Sequence, residues 1–264
     1  MNKVIRAEFG RTINAGLIIA IAGIIFSICF DSFNDLIAGL RNGQGYVGYF
    51  FSNAAFGGMC TKYMLPVFTA LPFSVSLCQE RNNKAVSYIV SREGKNRYIF
   101  AKFIVSAISG EFVAVCGTVL LFLMLAMRFP IAGDEFEGAV VSDYFHEWSA
   151  VYYPQLYILT LSILAFCRGV IWSSLALCVS LYTSDFMVVL LSPFLGSYVL
   201  VRIFQIIRVP DMVRQDMILI GQVVIKSSGL TLIIAIAISL TIVTLIGAFF
   251  VGKMKEGLKS GTIY

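Results

Sequence analysis

The sequence predicts an all-α polytopic membrane protein of six transmembrane helices. Three observations carry that prediction. Hydrophobic residues make up 58% of the chain against 13% charged, with a mean hydropathy of +0.85, far from the balance of soluble domains. Six apolar runs approach or exceed the roughly 20 residues needed to cross a hydrocarbon core of about 30 Å. Basic residues gather in alternate connections between those runs. With 264 residues mostly inside spans, residues 1–264 form one membrane domain with no sizeable soluble unit.

The first span is Ile13–Phe30, with Asn14 near its start. Its length and its Cys-Phe-Asp-Ser ending argue against a cleaved signal peptide. Ahead of it, Met1–Thr12 sets Val4, Ile5 and Phe9 roughly on one face and Lys3, Arg6 and Arg11 elsewhere, the pattern of a short interfacial helix or a topology anchor. The second span is about 59–78, containing Lys62 and Pro66; the third is about 103–127, the fourth 156–182. The fifth, 186–204, is shorter and carries Pro193, whereas the sixth, 229–251, holds no charged residue and is the clearest.

Orientation follows from the distribution of Lys and Arg. An inside N-terminus makes segments 1–12, 79–102, 183–185 and 252–264 cytoplasmic. They carry twelve basic residues, six of them in 79–102: Arg81, Lys84, Arg92, Lys95, Arg97 and Lys102. The opposite segments carry five and most of the acids, among them Asp134, Glu135, Glu137, Asp143 and Glu147. Both termini are then cytoplasmic. The net charge of +5 comes from topology determinants, not from a basic stripe interleaved with aromatics, so nucleic acid is not an expected partner.

Several chemistries find no support. All six cysteines (29, 60, 78, 116, 167 and 178) lie in or at the ends of spans, none as Cys-x-x-Cys, which gives no extracellular disulfide framework. The single histidine, His146, has no Cys or His nearby to complete a zinc site. Gly43-Gln-Gly45-Tyr-Val-Gly48 matches a dinucleotide fingerprint but follows no strand. Gly247 to Met254 approaches a phosphate-binding loop, yet Met254 stands where Ser or Thr would ligand magnesium, and the stretch ends a span. Intramembrane proteolysis would need a Ser–His dyad, facing aspartates or zinc ligands, which the spans lack. The chain is therefore expected to be no enzyme and to bind no cofactor. What remains is a protein that moves something, or a scaffold.

The 79–102 segment decides between kinds of mover. Val86, Ile89 and Val90 recur at helical spacing beside Arg81, Lys84 and Arg92, and Gly94 is a helix stop, giving a short amphipathic helix along the inner surface. Glu80 after the second span, Ser91-Arg92, Arg97-Tyr98 and Lys102 leading into the third resemble the pattern of type-2 permeases of ATP-binding-cassette exporters, particularly the antibiotic-transport and lantibiotic-immunity branch. Chain length, six spans, the N-terminal helix and the short Thr183-Ser184-Asp185 connection agree in outline. The resemblance implies a coupling helix docked on a separate ATPase through Glu80, Arg81, Lys84, Tyr88, Ser91, Arg92 and Arg97. ATP and Mg would then be held by that ATPase. It also implies two ATPase subunits, a second permease copy or a sister permease, a bacterial plasma-membrane location, and a re-entrant outer hairpin over 209–228. The cargo would be amphipathic or hydrophobic: an antimicrobial peptide, a drug or a lipid-like molecule. A secondary transporter or channel and a peptide-binding immunity protein without transport are the alternatives.

Charges within spans are functional candidates by default. Lys62 and Arg202 lie near the outer interface and can snorkel. Glu111 and Arg168 lie deeper, roughly 12 Å and 20 Å from the inner ends of spans three and four at 1.5 Å per residue. An ion pair joining those spans is the expectation, with a substrate or proton site the alternative.

Overall fold

The computed structural model describes residues 2–42, 47, 50, 58–130, 153–220, 225 and 227–260, and among them the chain is helical with no strand. The glycine-rich motif at 43–48 apart from Val47, Lys226 and the acidic segment holding Asp134, Glu135, Glu137, Asp143, His146 and Glu147 lie outside the described residues.

Helix α1 (Asn2–Thr12) meets α2 (Ala15–Asp31) at a bend of 58°. Asn14 makes the joint: its extended backbone cannot continue a helix, and its side-chain oxygen accepts from Leu17 N at 3.2 Å, capping α2. Helix α3 (Phe33–Asn42) follows after Ser32, whose hydroxyl donates to Phe50 O at 2.8 Å. The carboxylate of Asp31 accepts from Cys60 N at 3.0 Å and Thr61 N at 2.6 Å, the first-turn amides of α4 (Met59–Ala70). An acid there satisfies orphan donors and complements the helix dipole.

The predicted second span is broken. Helix α4 runs for 12 residues, the chain turns over 71–75, and α5 (Ser76–Asn82) resumes. Pro72 accounts for the break, since it donates no hydrogen bond and its ring crowds the preceding helical turn. Lys84, with φ 53°, and Gly94, with φ 86°, then bracket α6 (Val86–Glu93). The positive φ at Gly94, strained for any other L residue, lets the chain reverse directly into α7.

Among the described residues four helices are long and apolar enough to cross a membrane: α7 (Lys95–Ala126), α8 (Pro154–Val179, from Gln155), α9 (Phe186–Ile207) and α11 (Ser228–Ser260). The bent pair of α1 and α2 would make a fifth. With 32 and 33 residues, α7 and α11 are each about 50 Å long, so they outrun the hydrocarbon at one end. That is why they begin eight residues before and end nine residues after the predicted spans 103–127 and 229–251.

The segment predicted as a re-entrant hairpin is a 3-10 turn (Asp211–Val213) followed by α10 (Gln215–Ile220). Ile218, Leu219 and Ile220 are buried in the main core with residues such as Ile24, Leu65, Val113 and Leu161, so this apolar stretch packs against protein. A second core at the opposite end joins Val86 and Val90 of α6 to Tyr98, Leu181, Phe250 and Met254. Segments 2–12, 79–102, 180–185 and 250–260 thus share one end of the bundle.

Helices α7 and α8 touch backbone to backbone. A Cβ on Gly169 would lie 2.8 Å from Gly110 O and 2.9 Å from the Glu111 Cα, closeness that only small residues allow. Below that contact Ser74 donates to Ser173 O at 3.0 Å and sits 3.2 Å from the Ser106 hydroxyl, a polar bridge among three segments.

Candidate functional site

Helical spacing builds a buried charge cluster at the end of the bundle where α6 lies. On α1, Glu8 and Arg11 are three residues apart. Ser76 and Glu80 on α5, and Tyr98 and Lys102 on α7, are four apart, so each pair shares a face. Lys102 is fully buried, Glu8 is 3% exposed and Glu80 7%. Lys102 Nζ lies 2.9 Å from Glu8 Oε2 and 2.7 Å from Glu80 Oε1, and donates to Ser76 Oγ at 3.2 Å. The Tyr98 hydroxyl donates to Glu80 Oε2, and Arg11 Nη1 donates to Glu80 Oε1 and reaches Glu8 at 3.4 Å. The Phe73 ring lies beneath the ammonium, 4.8 Å from it.

Two carboxylates balance two cations. Neutrality and hydrogen bonding are what allow Lys102, Glu8 and Glu80 to leave water, while Arg11 stays half-exposed. The cluster ties the N-terminal helix to the segment entering α6 and to the start of α7. A crevice of 630 Å³ opens beside it, lined by Arg11, Asn14, Gln79, Glu80 and Phe186 among others.

Several residues predicted to face an ATPase fall into two groups. Glu80 is the hub of the buried cluster. Arg81 Nη1 donates to Ser180 O at 2.9 Å and Leu181 O at 3.2 Å, placing a cation on the end of α8 where unpaired carbonyls collect. Cys78 and Asn82 bind Thr183 O and Ser184 O in the same seam. Glu80 and Arg81 are thus occupied by partners within the protein and are not part of the outer face. Lys84, Tyr88, Ser91, Arg92 and Arg97 are exposed, with Tyr88 at 69%, while Val86 and Val90 fasten α6 to the second core.

On α1, the side turned to the bundle carries Glu8 and Thr12, with Ile5 and Phe9 half-buried. Charge thus fastens the helix to the bundle beside the half-buried Ile5 and Phe9 of the apolar stripe. Glu8 drew no notice there, although an acid three residues before Arg11 in an otherwise basic segment was a usable signal.

The expected pair in the bundle interior does not form. No ion pair joins Glu111 to Arg168; Arg168 Nη2 instead donates to Thr61 O at 3.4 Å. Gly169 is the α8 residue facing Glu111, and Arg168, about 100° around the helix, faces α4. Near it Lys62 lies 3.7 Å from Asp216, and Arg214 grips the same carboxylate through Nη2 at 2.8 Å and Nε at 3.2 Å. Hydrogen bonds from Arg214 to Asp216 and Asp211 hold its pKa above the ordinary arginine value. Arg202 is exposed on α9, its Nε donating to the Tyr198 hydroxyl at 3.2 Å.

The Gly247 to Met254 stretch is continuous helix inside α11, its amides committed to the helix. All six cysteines are free thiols. Between α7, α8 and α11 runs an apolar cleft of 390 Å³ lined by residues including Val115, Phe166, Val170, Ile236 and Leu240. Comparison of the chain with protein-family models, with curated proteins and with solved structures returns no match.

Proposed function

We propose that this chain is the membrane-spanning permease subunit of an ATP-driven exporter, moving an amphipathic or hydrophobic cargo with energy supplied by a separate ATPase. One observation carries the reading. Helix α6 turns Val86 and Val90 into the bundle and presents Tyr88, Ser91 and Arg92 outward, with Lys84 just before it and Arg97 following on α7. A short helix fixed to the bundle on one side and basic and aromatic on the other suits transmission of a push from a docked partner, because aromatic and arginine side chains anchor interfaces. The cluster around Lys102 lies directly behind it and would carry displacement into α1 and α7.

In this reading the chain crosses a bacterial plasma membrane six times, counting α1–α2 and the broken α4–α5 segment as crossings, with both termini cytoplasmic and 209–228 entering from the outer side. Two copies, or one copy and a sister permease, pair over two ATPase subunits. The wholly apolar cleft along α11 suits cargo drawn from the membrane. The break at 71–75 favours a second reading, a secondary transporter, since discontinuous helices frame the sites of such proteins.

The test has two arms. Single cysteines at Lys95 and Arg208, in a cysteine-free background, should be protected and labelled respectively by an impermeant thiol reagent in intact cells; the reverse pattern overturns the orientation. An ATPase should co-purify with the wild-type chain and be lost on Tyr88→Ala or Arg92→Glu, whereas transport that follows an ion gradient without ATP would establish the second reading instead.

A further inference from the structure

The end of the bundle opposite Lys102 holds a different kind of charge cluster, one that does not balance among the described residues. Arg168 is 8% exposed, and among the described residues its guanidinium makes one hydrogen bond, the 3.4 Å contact to Thr61 O. Five N–H donors project from a guanidinium, so most of its capacity is unmet, and no described carboxylate comes within 4.0 Å. Asp216 is engaged by Arg214 and shared with Lys62. Asp211, the other partner of Arg214, has a side chain 67% exposed. Among the described residues three cations, Lys62, Arg168 and Arg214, therefore meet a single buried acid.

Space accompanies the surplus charge. Two cavities of about 30 Å³ flank Arg168. One is bordered by Lys62, Trp172, Gln215 and Asp216, the other by Thr61 and Thr118. Thr61 Oγ1 is buried with no hydrogen-bond partner among the described residues. A cavity of this size holds one or two water molecules, and an unpaired cation in such a place is costly. We infer that Arg168 and Lys62, in the cavity that Trp172 and Gln215 also border, form an internal site for a small monovalent anion, a halide or a carboxylate of formate size. The cavities leave no room for a phospholipid headgroup. The bound anion would neutralise Arg168 and hold α4 and α10 against α8. This site stands apart from the exporter reading and does not depend on it.

Trp172 borders the cavity, and the chain has only one other tryptophan, Trp148. In purified Trp148→Phe protein in uncharged detergent, iodide titrated against gluconate at constant ionic strength should quench Trp172 saturably. Chloride and formate should reverse the quenching. Arg168→Met should weaken the iodide midpoint at least tenfold, and Gln215→Leu should weaken it several-fold in a protein whose charges are intact. Quenching that rises linearly with iodide, or that chloride does not reverse, overturns the site whether or not Arg168→Met folds. So does a saturable midpoint that both variants leave unchanged.

Discussion

Lys102 and Glu80, 22 positions apart in the chain, meet with Nζ 2.7 Å from Oε1, the lysine fully buried and the glutamate nearly so. The contact joins the last turn before α6 to the first turns of α7, and Glu8 completes it from α1. Removing Lys102 would leave two buried carboxylates facing each other with only the half-exposed Arg11 to balance them. Lys102→Met should therefore destabilise the protein by about 3–5 kcal/mol, the range for breaking a buried pair. Glu80→Gln in the same background should restore part of that loss. Thermal unfolding of both single variants and the double variant checks this, and additive losses would remove the coupling.

The exposed face of α6 should behave in the opposite way. Tyr88→Ala, Arg92→Glu and Arg97→Glu remove no buried contact, so stability should stay within about 0.5 kcal/mol of wild type. If this face docks an ATPase, complex formation should nonetheless fall. Glu80→Ala cannot serve as a docking test, because its loss acts on the fold first. Wild-type association for all three surface variants would count against the docking role.

Glu111 and Arg168 should show no energetic dialogue. A double-mutant cycle on Glu111→Gln and Arg168→Met should give a coupling below about 0.5 kcal/mol, as expected for groups that share no partner. A coupling of several kcal/mol would restore the ion pair that their positions in the sequence suggested.

Close approach of α7 and α8 makes Gly169 intolerant of side chains. Gly169→Leu would force atoms into Gly110 O and the Glu111 backbone, and overpacking of this kind typically costs about 1–3 kcal/mol. Gly252, where a Cβ would meet nothing within 4 Å, should accept Ala with little change. Melting temperatures of the two variants, compared with wild type, test the contact.

Asp31 should matter through the helix it caps rather than the helix it ends. Asp31→Ala removes the acceptor for Cys60 N and Thr61 N, a loss of about 0.5–2 kcal/mol for a helix cap, while Asp31→Asn keeps an acceptor oxygen. Hydrogen exchange at the start of α4 should accelerate in the first variant and much less in the second.

Composition and apolar run length alone determined the helical class, the four long apolar spans read at 103–127, 156–182, 186–204 and 229–251, and the gathering of Arg and Lys in certain connections, because each depends only on neighbours along the chain. The amphipathic helix at 86–93 and its glycine stop were legible for the same reason. Tertiary structure decided what those residues touch. Glu80 and Arg81 read as surface charges until Glu8, Lys102 and the carbonyls of Ser180 and Leu181 arrive from distant segments; Glu8 and Lys102 alone are separated by 94 positions. The rotation of α8 that brings Gly169 against Glu111 also turns Arg168 away from it, and a list of apolar residues does not fix rotation. Pro72 broke the second apolar run because missing hydrogen bonds outweigh hydropathy at a single residue. The apolar 209–220 stretch found protein where lipid was expected, since α4, α8 and α11 leave a space that Ile218, Leu219 and Ile220 fill.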